Sequence, residues 1–297
     1  MPHLHHAALG SSPGSVFLSL ILIFMGGIYL RGWLPLRSDG VERTSAWRPA
    51  SFLLGLFLIW LAVASPIAGL DHELLTVHML QHLLLMTFAP PLIWLGAPVR
   101  PVLRGLPQRF VESLAPLRQS LKVRRFAGVL GRPKFALVAA CAALVGWHIP
   151  AFFALGMQST GWHLFEHLSF LVTGLLFWWP VVQPSAGSSR QDLSMILYLF
   201  FATLPCDILS GFLVFSDCVA YSMYFSSSHL LGFSPLVDQQ CAAALMWTCV
   251  TVVYFVAGGI LTMRLLSPPD VPQVGLVQSK LSGVGIPRRV SRSLEAL

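Results

Sequence analysis

Charge is what this sequence has little of. Of its 297 residues, 10% are Asp, Glu, Lys or Arg, against about 25% in an ordinary soluble domain. That scarcity excludes a soluble globular protein, and the 55% of hydrophobic residues excludes a disordered chain. Cysteine is sparse too. The five Cys are an odd number with no CxxC pair or zinc-finger spacing, so no disulfide framework can be read. Residues 1–13 contain no Lys or Arg, and a signal peptide needs a basic start. The apolar run from Val16 to Leu30 ends in Arg31, Arg37, Arg43 and Arg48. It is expected to be an uncleaved membrane helix with its N-terminus outside.

Long apolar runs are what the chain does have, and its mean hydropathy is +0.72. A membrane crossing takes roughly 20 mostly apolar residues. Spans are expected at about 14–33, 52–70, 75–97, 135–155, 161–182, 193–215 and 240–263. All nineteen Lys and Arg then fall in four segments, 31–48, 100–134, 190 and 264–292, and none falls in the alternate loops. The positive-inside rule turns this asymmetry into a topology. The expected fold is all-α: a polytopic membrane protein, a bundle of seven transmembrane helices, N-terminus outside and C-terminus cytoplasmic. Its transmembrane domain covers 1–266, with a basic cytoplasmic loop at about 98–134 and a mobile tail at 267–297. The basic loop calls for no nucleic-acid partner, because topology already accounts for its charge. Part of it is expected to lie on the anionic inner leaflet as a surface helix.

The ten histidines are His3, His5, His6, His72, His78, His82, His148, His163, His167 and His229. On this topology every one is outside or in the outer half of a helix. At 1.5 Å per residue, His78, His82, His148, His163 and His167 lie between roughly 3 and 10 Å below the outer ends of their helices. His78 and His82 are four apart, as are His163 and His167, so each pair shares a helix face. Met79 and Met86 fall in the same arc as the first pair, and Met246 lies at similar depth on the last helix. A lone histidine is most simply a hydrogen-bonded core residue. Two i,i+4 pairs plus His148 in one membrane layer point instead to a metal site, since ionisable groups in the bilayer are costly and facing helix pairs are a common way to build one. Gln81, Glu166 and Asp207 are available as acceptors for the ring N–H groups that face away from a metal. Imidazole beside thioether favours copper, Cu(I) above all, and tolerates zinc. Haem ligated by facing histidines remains open.

Several other features bear on architecture. Pro90–Pro91, Pro150 and Pro205 are each expected to distort a helix near the histidine layer. Trp178 and Trp179 fit an inner interfacial belt, and Trp147, Trp162 and Trp247 an outer one. Cys218 and Cys241 lie on the outer side, placed to pair.

The run His78-Met79-Leu80-Gln81-His82-Leu83-Leu84-Leu85-Met86, followed by Ala89-Pro90-Pro91-Leu92 and Leu95-Gly96-Ala97-Pro98, closely resembles the signature of the CtaG family, bacterial assembly factors for caa3-type cytochrome c oxidase. Trp147-His148-Ile149-Pro150, His163-Leu164-Phe165-Glu166-His167, Asp238-Gln239-Gln240 and Met246-Trp247 resemble further blocks of that family. The stretch 206–241 departs from the pattern. The resemblance implies a multi-pass protein of the bacterial inner (plasma) membrane that serves maturation of a haem–copper oxidase of the respiratory chain. It implies copper-handling roles for His78, His82, His148, His163 and His167. Its partners would be oxidase subunits, a periplasmic copper carrier and the lipid bilayer.

The leading expectation is therefore a membrane metallochaperone without catalytic turnover. A seven-helix zinc-dependent hydrolase, with Glu166 or Asp207 as general base beside a metal-bound water, is the alternative. A haem-binding membrane protein ranks below it. A transporter lacks matching polar residues in the inner half of the bundle.

Overall fold

The computed structural model describes residues 13–38, 46–113, 115–183, 189–226, 232 and 234–266. His3, His5, His6, His229 and the tail 267–297 lie outside them. All regular structure among the described residues is helical. In chain order the helices are α1 (Pro13–Ser38), α2 (Trp47–Val63), α3 (Leu75–Leu83), α4 (Ala89–Leu95), α5 (Val99–Gly105), α6 (Gln108–Ser113), α7 (Ala115–Gln119), α8 (Leu121–Leu130), α9 (Pro133–His148), α10 (Pro150–Gln158), α11 (Thr160–Val182), α12 (Ser189–Val214) and α13 (Pro235–Leu266). A 3₁₀ turn, Pro66–Leu70, leads into α3, and a π-turn, Leu84–Phe88, joins α3 to α4.

Six of these helical segments are long and apolar enough to cross a membrane, and a seventh appears if α8 and α9, bent by 65°, count as one span. The chain is thus a multi-pass membrane protein. The expected fourth span, 135–155, is interrupted. Pro150 has no N–H and drives the residue before it out of the helical region, so Ile149 is extended (φ −66°, ψ 126°) and the chain restarts as α10. The basic stretch 98–134, read as a loop, is a string of short helices, α5 to α8.

Burial sorts the spans. In Leu75–Leu95, 61% of the apolar window is buried, against 17% in α1 and 22% in α13. The span that carries the buried His78, Gln81 and His82 is therefore the central one, as expected where hydrocarbon cannot solvate such groups. The outer helices turn Phe17, Ile23, Phe24, Ile208, Phe212 and Phe255 outward. In a membrane that surface meets lipid.

The central span is held together by contacts that replace broken helix bonds. Pro90 removes the donor that the Met86 carbonyl would use in an α-helix, and Pro91 removes the one a π-turn would supply. The Trp178 indole donates to this carbonyl instead, at 3.1 Å. Approach is possible because α11 has Gly174 there: a Cβ would stand 2.8 Å from the Met86 oxygen and 2.9 Å from its Cα. Trp178 is thus buried in the core rather than placed in an inner aromatic belt. About two helical turns past Met86, Trp94 Nε1 donates to the Leu175 carbonyl at 2.8 Å and Gln183 Nε2 to the Trp94 carbonyl at 3.3 Å. Trp147, expected in the outer belt, is also buried and donates to Ser169 Oγ at 2.8 Å. In both cases the indole N–H finds a protein acceptor rather than the membrane interface. Pro205 lies within α12, which continues through it.

Gly174→Ala is expected to destabilise the detergent-solubilised protein by about 1–3 kcal/mol, the usual range for overpacking. Gly211→Ala, where an added Cβ meets nothing within 4 Å, should leave the unfolding temperature unchanged or raise it. Equal thermal stability of the two variants would contradict the close approach of α11 to α4.

Candidate metal centre

Three helices and one turn bring the site together. On α3, the i,i+4 spacing stacks His78 and His82 edge to face, with ring centroids 4.3 Å apart. On α11, the same spacing sets His163 and His167 4.3 Å apart. The two faces meet: His78 lies parallel to His163 at 5.5 Å, and His82 lies 5.8 Å from His167. His148, the last residue of α9, is 6.2 Å from His82. All five sequence-predicted histidines therefore converge, at the end of the bundle where α3 and α11 begin and α9 ends.

Glu166 occupies the centre. Its Oε1 is 3.6 Å from His78 Nε2 and 3.4 Å from His82 Nε2, and both His78 and Glu166 are fully enclosed. The sequence offers Glu166 as an acceptor for a ring N–H that faces away from a metal. Packing instead turns it into the cluster, because Gly156 of α10 leaves the space: a Cβ there would stand 2.6 Å from Glu166 Oε2. One ring nitrogen from each histidine and one carboxylate oxygen lie within 4.8 Å of one another, a donor set able to hold a metal ion. The buried ring nitrogens of His78 and His82, Nε2 of His163 and His167, and both oxygens of Glu166 have no hydrogen-bond partner. A buried polar group left unpaired costs about 1–3 kcal/mol, and native proteins rarely leave one so. A cluster of them fits an ion that all of them would share.

His148 stands beside this trio. Its Nδ1 is 2.7 Å from the Leu144 carbonyl, which orients the ring, and its Nε2 is 3.2 Å from Met79 Sδ. Met79 and Met86 join Met246, His82, His148 and Cys206 in lining an apolar cavity of about 30 Å³. The three methionines picked out by helix face or depth thus share one cavity with two of the histidines. Cys206 lines it too, although sequence reading assigned it no role.

Two expected acceptors take other places. Gln81 Nε2 donates to the Ala68 carbonyl at 3.0 Å and to Asp71 Oδ2 at 3.4 Å, not to a histidine. Asp207 is half-buried on α12 and belongs to neither carboxylate–histidine cluster found among the described residues. Cys218 and Cys241 are exposed free thiols and do not pair.

Asp71 escaped sequence reading. It sits just past the 3₁₀ turn and forms a second cluster with His72 and His163. The signal was its place next to His72, at the same end of the chain's second span. Asp238 and Gln239 turn out to be structural. Asp238 caps α3 from another helix: its carboxylate accepts from Leu75 N–H at 2.6 Å, Thr76 N–H at 3.2 Å and Thr76 Oγ1 at 2.6 Å. The two N–H groups are donors that a helix N-terminus leaves unpaired, and a carboxylate there also complements the helix dipole. Gln239 Oε1 accepts from Ala220 N–H at 2.7 Å and its Nε2 donates to the Cys218 carbonyl at 3.2 Å, which ties down the α12–α13 connection.

Removing the cap with Asp238→Ala should cost about 0.5–2 kcal/mol, read as a lower unfolding temperature in detergent. Asp217→Ala, at an exposed position, should leave that temperature within error of wild type. A neutral Asp238→Ala would mean that α3 is not held in this way.

The family model described as cytochrome c oxidase caa3 assembly factor matches residues 27–267, a range containing every residue of the cluster. The chain is similar to the uncharacterized protein Mb0105 of Mycobacterium bovis, 28% identical over 234 residues that make up 74% of this chain and 34% of that protein. It is also similar to the uncharacterized protein ML1998 of Mycobacterium leprae, 27% identical over 237 residues, 76% of this chain and 35% of that protein. The chain thus spans about a third of the length of these curated relatives. No solved structure matches it.

Proposed function

Because the chain belongs to the family of cytochrome c oxidase caa3 assembly factors, we propose that it handles copper for a haem–copper oxidase, holding the ion as cargo in the buried histidine cluster. The observation that supports this reading most is the enclosed set of unpaired donors on His78, His82, His163, Glu166 and His167. His78, His82 and Glu166 would form the core of the site, with His167 closing it from α11 and His163, whose Nε2 lies 3.5 Å from Asp71, standing at its outer edge. His148 and Met79 would receive the ion next, and Met86 and Met246 offer thioethers in the cavity beyond. Imidazole passing to thioether is a donor series suited to copper, and to Cu(I) at its softer end. Exchange along such a series needs no energy source.

The distribution of Lys and Arg supports an orientation. The four basic segments, 31–48, 100–134, 190 and 264–292, would face the cytoplasm. The histidine end would face outward across the bacterial inner membrane, with the N-terminus outside. There the site would meet oxidase subunits or a periplasmic copper carrier. The handling is non-catalytic in this reading.

Two histidines and one glutamate are also the donor set of some zinc hydrolases, which favours a zinc-dependent hydrolase as the second reading. Against it stands the enclosure of His78 and Glu166, both without exposed surface, where a substrate could not reach a metal-bound water. The cavity beside His82 and His148, of about 30 Å³, is small for a haem, since an ordinary small-molecule pocket has roughly 300 Å³ or more.

The test is metal content after purification from copper-supplemented cells, with a tag free of histidine. Wild type should carry copper. The His82→Ala, His167→Ala double variant and Glu166→Gln should lose the copper that survives a brief chelator wash while keeping their helical circular-dichroism spectrum. Gly156→Ala, which crowds the carboxylate, should lose much of it as well. Zinc in place of copper would move the assignment to the hydrolase. Copper retained in folded Glu166→Gln would remove the central role of that carboxylate.

A further inference from the structure

We propose that Asp71, His72 and His163 form a second metal site, open to solvent at the histidine end of the bundle, that takes a divalent ion of the copper–zinc class. Asp71 stands between the two imidazoles: Oδ1 is 3.8 Å from His72 Nε2 and Oδ2 is 3.5 Å from His163 Nε2. One donor atom from each residue falls within 4.8 Å of the others. His163 Nε2 is buried and has no hydrogen-bond partner, although it lies 3.5 Å from this carboxylate.

The site is built rather than incidental. Asp71 is itself buried, and three elements fix it. Its Oδ1 accepts the His72 backbone N–H at 2.8 Å. Its Oδ2 accepts Gln81 Nε2 from α3 at 3.4 Å. Its carbonyl accepts the Tyr224 hydroxyl, from the α12–α13 connection, at 2.7 Å. The carboxylate is therefore aimed before any ion arrives, which lowers the ordering cost of binding. Gln81, expected beside the inner histidines, acts here instead.

Chemistry and exposure separate this site from the enclosed one. It offers two imidazoles and a carboxylate with no sulfur, a set suited to Cu(II) or Zn(II) rather than Cu(I). The His72 side chain is 57% exposed and that of His163 15% exposed, whereas His78 and Glu166 have no exposed surface. An ion can reach the outer trio directly from water. His163 then connects the two sites, since its ring lies 5.5 Å from that of His78 and 4.3 Å from that of His167. The outer trio is thus a receiving position for the inner one, a role that rests on the copper-handling reading, whereas its capacity to bind metal does not.

The experiment is equilibrium dialysis of the full-length, detergent-solubilised protein against Zn(II) and, separately, Cu(II), with bound metal counted by mass spectrometry. All proteins would carry His3→Ala, His5→Ala and His6→Ala, so that the start of the chain adds nothing to the count. The inner-site variant His82→Ala, Glu166→Gln is expected to retain one equivalent that a chelator removes rapidly. Adding His72→Ala, a change at an exposed side chain that folding tolerates, should abolish it. His72→Ala alone should keep the slowly released inner ion but load it more slowly. Should the inner-site variant fold and bind nothing, or should its equivalent survive His72→Ala, the outer site is overturned. If wild type binds only the single equivalent that His72→Ala removes, the outer site stands and the enclosed copper site fails.

Discussion

The Met86 carbonyl is the point on which the arrangement of the histidines hangs. Two successive prolines leave it without a backbone donor, and in hydrocarbon an unpaired carbonyl costs several kcal/mol. The Trp178 indole supplies the missing donor, and Gly174 allows α11 to come close enough. The bond therefore ties the span carrying His78 and His82 to the helix carrying His163, Glu166 and His167. His82 is four residues from Met86, about 6 Å along the helix. Any shift of α11 against α3 and α4 would be felt at once in the 3.4 Å and 3.6 Å separations around Glu166.

A second constraint acts from the other side. Asp238 of α13 holds the first turn of α3 through three hydrogen bonds, so the histidine helix is fixed at its start by a carboxylate and at its far end by an indole. Between these fixed points lie the unpaired ring nitrogens and carboxylate oxygens, a concentration of polar cost in a membrane bundle. Such a cost persists only when the surrounding structure over-determines the geometry. Here the over-determination comes from the small residues Gly156 and Gly174 and from long-range caps, none of which belongs to the cluster.

Donor type changes along the line of the cluster. The exposed end offers Asp71 with His72 and His163, the enclosed centre His78 and His82 with Glu166, and the deep side Met79 against His148, followed by a cavity with further sulfur. Accessibility to water falls steeply from the first of these to the second. A softening donor set favours softer ions at each step, which on the proposed copper-handling reading would give the arrangement a direction without any moving part.

Much of this was legible from residue order alone. Apolar runs of about 20 residues, i,i+4 histidine pairs and the segregation of Lys and Arg are local or statistical properties, and they determined the helices, the shared faces of His78 with His82 and of His163 with His167, and the single layer. Tertiary structure alone decided which faces meet. It turned Glu166 inward, set Asp71 and its neighbour His72 against His163 of α11, placed Asp207 outside both clusters, left Cys218 and Cys241 apart and buried Trp178 in the core. The reason is physical: helix periodicity is written in neighbouring residues. The choice of partner helix instead depends on where small residues permit close approach and where an orphaned carbonyl or N–H finds its donor or acceptor, often across a hundred residues of chain.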